Sequence, residues 1–447
     1  MRERHARSLA VLLALTGCLL AATAPASVKP RAILIVPFDA SALVLDEQWV
    51  GEGIAQVLSA GLAQHPAFAQ IDRARVRAVG RPDVWGEAVV QQAARSVGAE
   101  AALYGSVRRQ GAELVIQPKL LDAKGPLGDA VGMESLPVAE GELLTRVASL
   151  PLTYARTLKA TVSDVEARRM DKAAQPTRSL KAFELFARSQ MATRTGGPEN
   201  NEAAVDLLTR AIEADATFAL AQYTLGTVHQ RLGNRWKAAA QYRASTQLDA
   251  TYPEPFKALG DLFLAAPRRL FDQAVEAYSK AIELRPFYAD AHVGLGDAKA
   301  AKGDVDGAVG AYQKALVFNP VNPKVHMSLG KIYYGEKNLY YESVGAFKKA
   351  IELDPLSVEA RMGLGEVYED KGLYKEATEE YRRVIEIDSK HTGAMYNLAI
   401  VYERTDPKEA IAQWERYIAI ASQLPAEKDW VDTARQHLRK LKNQVKD

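Results

Sequence analysis

From about residue 180 onward, apolar residues recur three and four positions apart, the spacing that gathers them on one face of a helix. Polar residues fill the opposite positions, and short polar turns separate one segment from the next. The pattern then repeats. Leu225-Gly226, Leu259-Gly260, Leu295-Gly296, Leu329-Gly330, Leu364-Gly365 and Leu398-Ala399 stand 34, 36, 34, 35 and 34 residues apart. Behind each comes a small residue: Ala238, Ala274, Ala308, Ser343, Ala377 and Ala410. Four positions further stands an aromatic: Tyr242, Tyr278, Tyr312, Phe347, Tyr381 and Trp414. Pro286, Pro320 and Pro355 close three of the units, because proline lacks the amide hydrogen and clashes with the preceding turn. Each unit reads as two antiparallel helices, the glycine and the small residue letting them approach closely. We expect seven units, over 180–217, 219–252, 253–288, 289–322, 323–357, 358–391 and 392–424. No unit buries its apolar face alone, so the units must stack. Residues 427–445 are amphipathic and polar, which predicts a solvating cap within 425–447.

Residues 28–160 follow another pattern. Residues 31–38 form an unbroken apolar run and predict a buried strand; 49–65 has helical spacing; 68–71 predicts a short strand and 85–97 a second helix. Residues 101–107 and 114–121 predict a hairpin turning at Gln110-Gly111. A third strand is expected over 130–136 and a long helix from about Glu140. Strands and helices interleave, so an α/β mixed-sheet domain is expected here, ahead of an all-α solenoid. Residues 161–179 read as the end of the long helix plus a linker.

The first 26 residues have the order of an export signal: a basic stretch over 1–8, an apolar run over 9–20, then Ala24-Pro25-Ala26 with the small-x-small pattern of a cleavage site. Cys18 is the only cysteine of the chain, so a mature protein would carry neither disulfide nor thiolate metal site. Leu15-Thr16-Gly17-Cys18 is similar to the lipobox of bacterial lipoproteins, which implies acylation of Cys18 and membrane attachment. The continuing apolar Leu19-Leu20 fits plain cleavage after Ala26 instead. Both outcomes stay open, one anchored and one free. Either way, an exported periplasmic or outer-membrane-anchored protein is expected.

The 34-residue period and its residue types resemble the tetratricopeptide repeat (TPR), whose arrays form superhelical solenoids that hold other proteins in a concave groove. The amino-terminal segment resembles the amino-terminal domain of the periplasmic TolB protein and its relatives in flagellar and curli secretion lipoproteins. The resemblance rests on Ile35-Val36-Pro37-Phe38, on Gly53-Ile54-Ala55 with Leu58 and Leu62, on Ala94 with Gly98-Ala99-Glu100, and on Tyr104-Gly105-Ser106-Val107 followed by Leu114. These are core and turn residues, so the resemblance implies fold and compartment and names no ligand.

Charge and motifs narrow the function. Lys and Arg number 57 against 55 Asp and Glu, and the balance is even once the first eight residues are set aside. Such a chain lacks the basic stripe of a nucleic-acid binder. There is no GxxxxGK[ST], HExxH or GxSxG, and Gly51-x-Gly53 lacks the third glycine of a dinucleotide loop. His292 and His326 hold equivalent places in successive units and read as packing residues rather than metal ligands. No enzyme activity, cofactor or metal is expected. First-helix positions should line the groove: Tyr223, Gln230, Arg231, Lys257, Asp261, Asp297, Met327, Lys331, Tyr334, Met362, Glu366, Glu369 and Tyr396. Among these, Met327, Tyr334, Met362 and Tyr396 are expected to form an apolar floor, with Lys331, Glu366 and Glu369 selecting charge. The expected function is a protein–protein scaffold of the bacterial cell envelope. The alternatives are a small-ligand or transport accessory protein using the α/β domain, for which Asp39, Asp46 and Arg73 are the nearest residues, and a TPR regulator with a sensory TolB-like domain.

Overall fold

Alternation along the first strand sorts the amino-terminal unit into two layers of core. In β1 (Arg31–Ile35), Ile33 and Ile35 face one way, while Ala32 and Leu34 face the other, as the period of two in a strand requires. The computed structural model describes residues 29–71, 75, 85–126, 130–195 and 197–444; the export segment with Cys18, and Arg73, lie outside them. β1 is flanked by two parallel neighbours, β2 (Phe68–Ile71) and β3 (Ala101–Gln110). Two helices make the crossovers: α1 (Trp49–Leu62) lies against the Ile33 face, and α2 (Glu87–Ser96) against the Leu34 face. β3 turns at Gly111, whose φ of 63° suits glycine, into antiparallel β4 (Glu113–Asp122).

The strand expected over 130–136 is two short strands, β5 (Val131–Gly132) and β6 (Leu136–Ala139), both paired to β4. Between them the Gln117 side chain takes the Met133 carbonyl (2.8 Å) and the Ser135 hydroxyl, drawing the chain off the ladder. Nor does one long helix run from Glu140. A short 3₁₀ turn leads to α3 (Leu143–Val147), and a separate α4 (Leu150–Thr157) follows. Pro151 sits in the first turn of α4, the place in a helix that tolerates proline. The stretch read as helix end and linker is instead largely a helix of its own, α5 (Asp164–Ala174). Ser163 and Glu166 form a reciprocal capping box at its start, and Met170 and Ala174 are buried. α5 packs on α1.

Seven antiparallel helix pairs follow. They are α6 (Leu180–Thr195) with α7 (Pro198–Ala214), α8 (Ala219–Arg231) with α9 (Arg235–Leu248), α10 (Pro253–Leu264) with α11 (Phe271–Leu284), and α12 (Ala289–Ala301) with α13 (Val305–Phe318). Then come α14 (Pro323–Gly335) with α15 (Tyr340–Leu353), α16 (Val358–Asp370) with α17 (Tyr374–Ile387), and α18 (Thr392–Thr405) with α19 (Pro407–Ala421). A last helix, α20 (Lys428–Gln444), lies on α19. The chain is thus a mixed six-stranded sheet followed by a helical solenoid.

The Leu-Gly register explains the closeness within each pair. A Cβ on Gly260 would stand 2.7 Å from the ring of Tyr278, and one on Gly296 would stand 2.6 Å from that of Tyr312. The aromatic of the second helix occupies the space the missing side chain leaves.

No break in the core separates the two parts. One apolar cluster runs from the sheet through α1, α4 and α5 into the first two helix pairs, as far as Val228. Phe183 of α6 lies edge-on to Trp49 of α1, with 6.2 Å between ring centroids, and faces Gly53. The α/β unit also reaches further along the solenoid. Lys172 pairs with Asp249 at 3.2 Å in the turn after α9. The Arg75 guanidinium donates to Val321 O (2.9 Å) and Leu353 O (3.3 Å), between the fourth and sixth pairs. Val321 packs beside the α2 face of the sheet.

Candidate functional site

First helices of neighbouring pairs touch one another, α8 with α10, α10 with α12 and α14 with α16. That puts them on the inner side of the curve, and the sequence-read groove positions with them. What each side chain does there is decided by its neighbours.

At one end the groove positions are largely committed to the solenoid itself. The Tyr242 hydroxyl donates to Gln230 Oε1 at 2.7 Å, that of Tyr278 to Asp261 Oδ1 at 2.7 Å, and that of Tyr312 to Asp297 Oδ1 at 2.6 Å. The series continues with Tyr381 to Glu369 Oε2 at 2.8 Å and Trp414 Nε1 to Glu403 Oε1 at 2.7 Å. In five pairs, therefore, the aromatic of the second helix donates to an acceptor on the first. The exception is informative: Phe347 has no hydroxyl, and its pair offers Lys331 and Tyr334 where the others carry acceptors.

Lysines neutralise two of these carboxylates. Lys257 lies 2.8 Å from Asp261, and Lys324 lies 2.8 Å from Asp297. Burial presses Lys257 toward the neutral form, but the carboxylates of Asp261 and Asp290 outweigh it and hold its pKa above the ordinary value. Tyr223 packs against Tyr242 and Tyr252, with centroids 5.7 and 5.6 Å away. Arg231 ends α8 and is exposed. Lys257, Asp261 and Tyr223, read from the sequence as partner contacts, are thus engaged inside the protein. Tyr396 is too: its ring meets Trp414, Tyr417 and Trp430 edge-on at 4.9, 5.5 and 5.2 Å, in an aromatic cluster at the carboxy-terminal end.

The other candidates converge. Tyr334 of α14, with Glu366 and Glu369 of α16, lines an open cleft of about 610 Å³. Asp370, Tyr374, Asn397, Ile400, Val401 and Arg404 complete its walls. Met327 and Met362 sit half-buried nearby, packed on the core of the last three pairs. Lys331 is exposed and stands 4.0 Å from Glu359. Although solvent reaches Glu366, burial raises its pKa above the usual carboxylate value. The charge of Glu369 adds to the rise, and Lys331 opposes it. Glu369 is raised as well, by burial first, against the hydrogen bond from Tyr381.

Sequence reasoning missed Asp370, Tyr374, Asn397, Ile400, Val401 and Arg404. Asp370 and Arg404 each follow a groove glutamate by one residue, so the repeat register held a signal for them. Tyr374 comes from the start of the second helix, and only packing brings it to the cleft. In the α/β unit, Asp39 accepts the Ser41 amide in its own turn at 2.9 Å. Asp46 faces Arg188 of α6, its carboxylate 3.6 Å and its carbonyl 2.5 Å away. The two belong to a local turn and to the contact with the solenoid. The third residue of that set, Arg73, is outside the described residues.

The sequence matches the family described as Tetratricopeptide repeat over 257–323 and 329–392. Those residues carry tetratricopeptide repeats, and proteins built on such repeats are generally protein-interaction scaffolds. No curated protein matches the chain. Among solved structures, that of MamA aligns at 25% identity over 37% of this chain and 95% of its own, with a TM-score of 0.33. YrrB, described as a TPR protein with an unusual peptide-binding site, aligns at 22% over 45% and 99%, with a TM-score of 0.37. The pilF protein of Pseudomonas aeruginosa aligns at 16% over 47% and 93%, with a TM-score of 0.42.

Proposed function

We propose that this protein is a non-catalytic scaffold of the bacterial cell envelope, exported by its amino-terminal segment, whose concave repeat surface holds a segment of a partner protein. The observation that carries the reading is the convergence of Tyr334, Glu366 and Glu369 on one open cleft in the inner wall. A groove of this kind recognises an extended or helical segment through a few anchor side chains. The half-buried thioethers of Met327 and Met362 beside it are adaptable apolar contacts. The α/β unit, similar to the TolB amino-terminal domain, docks a second component in this reading. Its core is continuous with the first repeats, so the two surfaces would be held in fixed relation. Attachment through an acylated Cys18, or release after Ala26, completes the proposal.

A photo-crosslinking amino acid placed at Met362 in cells tests the groove, with one at exposed Glu379 of α17 as the comparison. Covalent adducts with a single envelope protein from position 362 and none from 379 are expected. Adducts from 379 alone would move the binding surface off the concave wall. Mass spectrometry of the native amino terminus tests export: an acylated chain beginning at Cys18 or one beginning at Ser27 supports it, and an intact chain beginning at Met1 in the cytosol sinks it.

A further inference from the structure

We infer that the cleft between α14, α16 and α18 is a pocket for a lysine or arginine side chain of the partner segment, with Glu366 as its counter-charge; the inference rests on the groove reading above.

The solenoid supplies its own comparison. Asp261, Asp297, Glu369 and Glu403 all lie on the inner wall, and each accepts a hydrogen bond from the aromatic of its own pair. Asp261 and Asp297 also have lysines at 2.8 Å, and Glu403 has His437 Nδ1 at 2.8 Å. Glu366 stands in the same register as Asp261 and Asp297, four residues after Met362 as they follow Lys257 and Val293 by four. Yet among the described residues no side chain donates to it. Its pair's aromatic, Tyr381, has turned to Glu369 instead. Lys331 is near enough to act on its charge, but the closest carboxylate to that ammonium is Glu359. The Glu366 carboxylate is exposed and left to water, and the open cleft beside it leaves room for a cationic donor.

The shape and remaining walls fit the same guest. Tyr334 and Tyr374 line the cleft with Ile400 and Val401, surfaces suited to an aliphatic stem, and tyrosine faces also attract a cation. Glu369 and Asp370 add negative charge. Arg404 stands in the same wall, exposed, and among the described residues no carboxylate pairs with it. It would meet a carbonyl or carboxylate oxygen of the same segment, so the guest is a peptide carrying a cation rather than an isolated one.

The test uses the full chain and two pools of capped dodecapeptides, identical except that one fixes lysine and the other norleucine at the centre. Capping removes the terminal charges, so the side chain alone is read. Preferential capture of the lysine pool is expected, falling by about tenfold in Glu366→Gln, the loss of one charge-assisted hydrogen bond. Glu379→Gln should leave it unchanged. Equal capture of both pools, abolished by Tyr334→Ala, would overturn the cationic pocket while leaving the groove reading in place. Capture of neither pool would overturn both. Calorimetric binding of spermine, tighter than that of the lysine peptides and lost in Glu366→Gln, would assign the cleft to a free polyamine and overturn the peptide.

Discussion

At the scale of single residues, the repeat glycines are set by contact distance. A methyl at Gly296 would press on Tyr312, whose ring is itself buried and cannot move aside. Gly296→Ala should destabilise the protein by about 1–3 kcal/mol, the range for overpacking a filled core, and thermal melting of the full chain measures it. The equivalent histidines behave as packing residues. His292 stacks on Phe318 at 5.6 Å and bonds the Pro286 carbonyl at 2.8 Å. Burial lowers the pKa of His292 and of His326 below the ordinary histidine value of 6.5, against a carbonyl bond that opposes it in each. A depressed histidine binds its proton less readily when folded, so as the pH falls the unfolded chain binds it first. Stability should therefore be full above pH 6.5 and fall as the pH drops through that value. Melting temperatures between pH 7.5 and 5 should show the fall, and a His292→Gln, His326→Gln pair should flatten it. An equally steep fall in the double variant would place the effect elsewhere.

At the scale of elements, the aromatic-to-carboxylate bonds tie each second helix to its first. Their pattern was present in the sequence without being read: an acceptor stands on the first helix wherever the aromatic carries a donor, and the Phe347 pair lacks both. Tyr278→Phe keeps the ring between the helices and removes only the hydroxyl that reaches Asp261. Its cost should be about 0.5–1.5 kcal/mol, read as a lower melting temperature with unchanged circular dichroism. Phe347→Tyr, which meets no acceptor, should bring no gain. The segment over 161–179 teaches the complementary lesson. Its charges suggested a linker, but Ser163 with Glu166 three residues on is a helix-start signal in its own right. Ser163→Ala should cost about 0.5–2 kcal/mol and loosen α5 on α1, which hydrogen exchange of residues 164–174 would register.

At the scale of the whole molecule, the α/β unit braces the solenoid. It is fused to the first pair through a shared core and reaches the turns near Val321 and Leu353 through Arg75. A stack of repeats touching only its neighbours is quasi-one-dimensional and bends easily; a strut across several repeats limits that bending. Arg75→Ala should leave helicity unchanged and speed hydrogen exchange at residues 319–323 and 353–357, roughly tenfold for the loss of bonds to a charged donor. Unaltered exchange at both turns would show that the brace bears no load.

The sequence alone determined the architecture of the repeats, since each unit packs against its own partner helix and its neighbours, and such local packing leaves a period of about 34 in the residue types. It likewise marked the sheet strands and the inner face of the first helices, because alternation and helical spacing follow from backbone geometry. It did not separate free groove residues from committed ones. Asp261 and Glu366 occupy the same register, and only tertiary contacts made one the acceptor of a tyrosine and a lysine and left the other facing an open cleft. The continuity of the core across 160–180 and the reach of Arg75 over 246 and 278 residues were equally beyond it. Contacts between distant residues leave no periodic trace in a single chain; they are fixed by how the curvature accumulates from repeat to repeat.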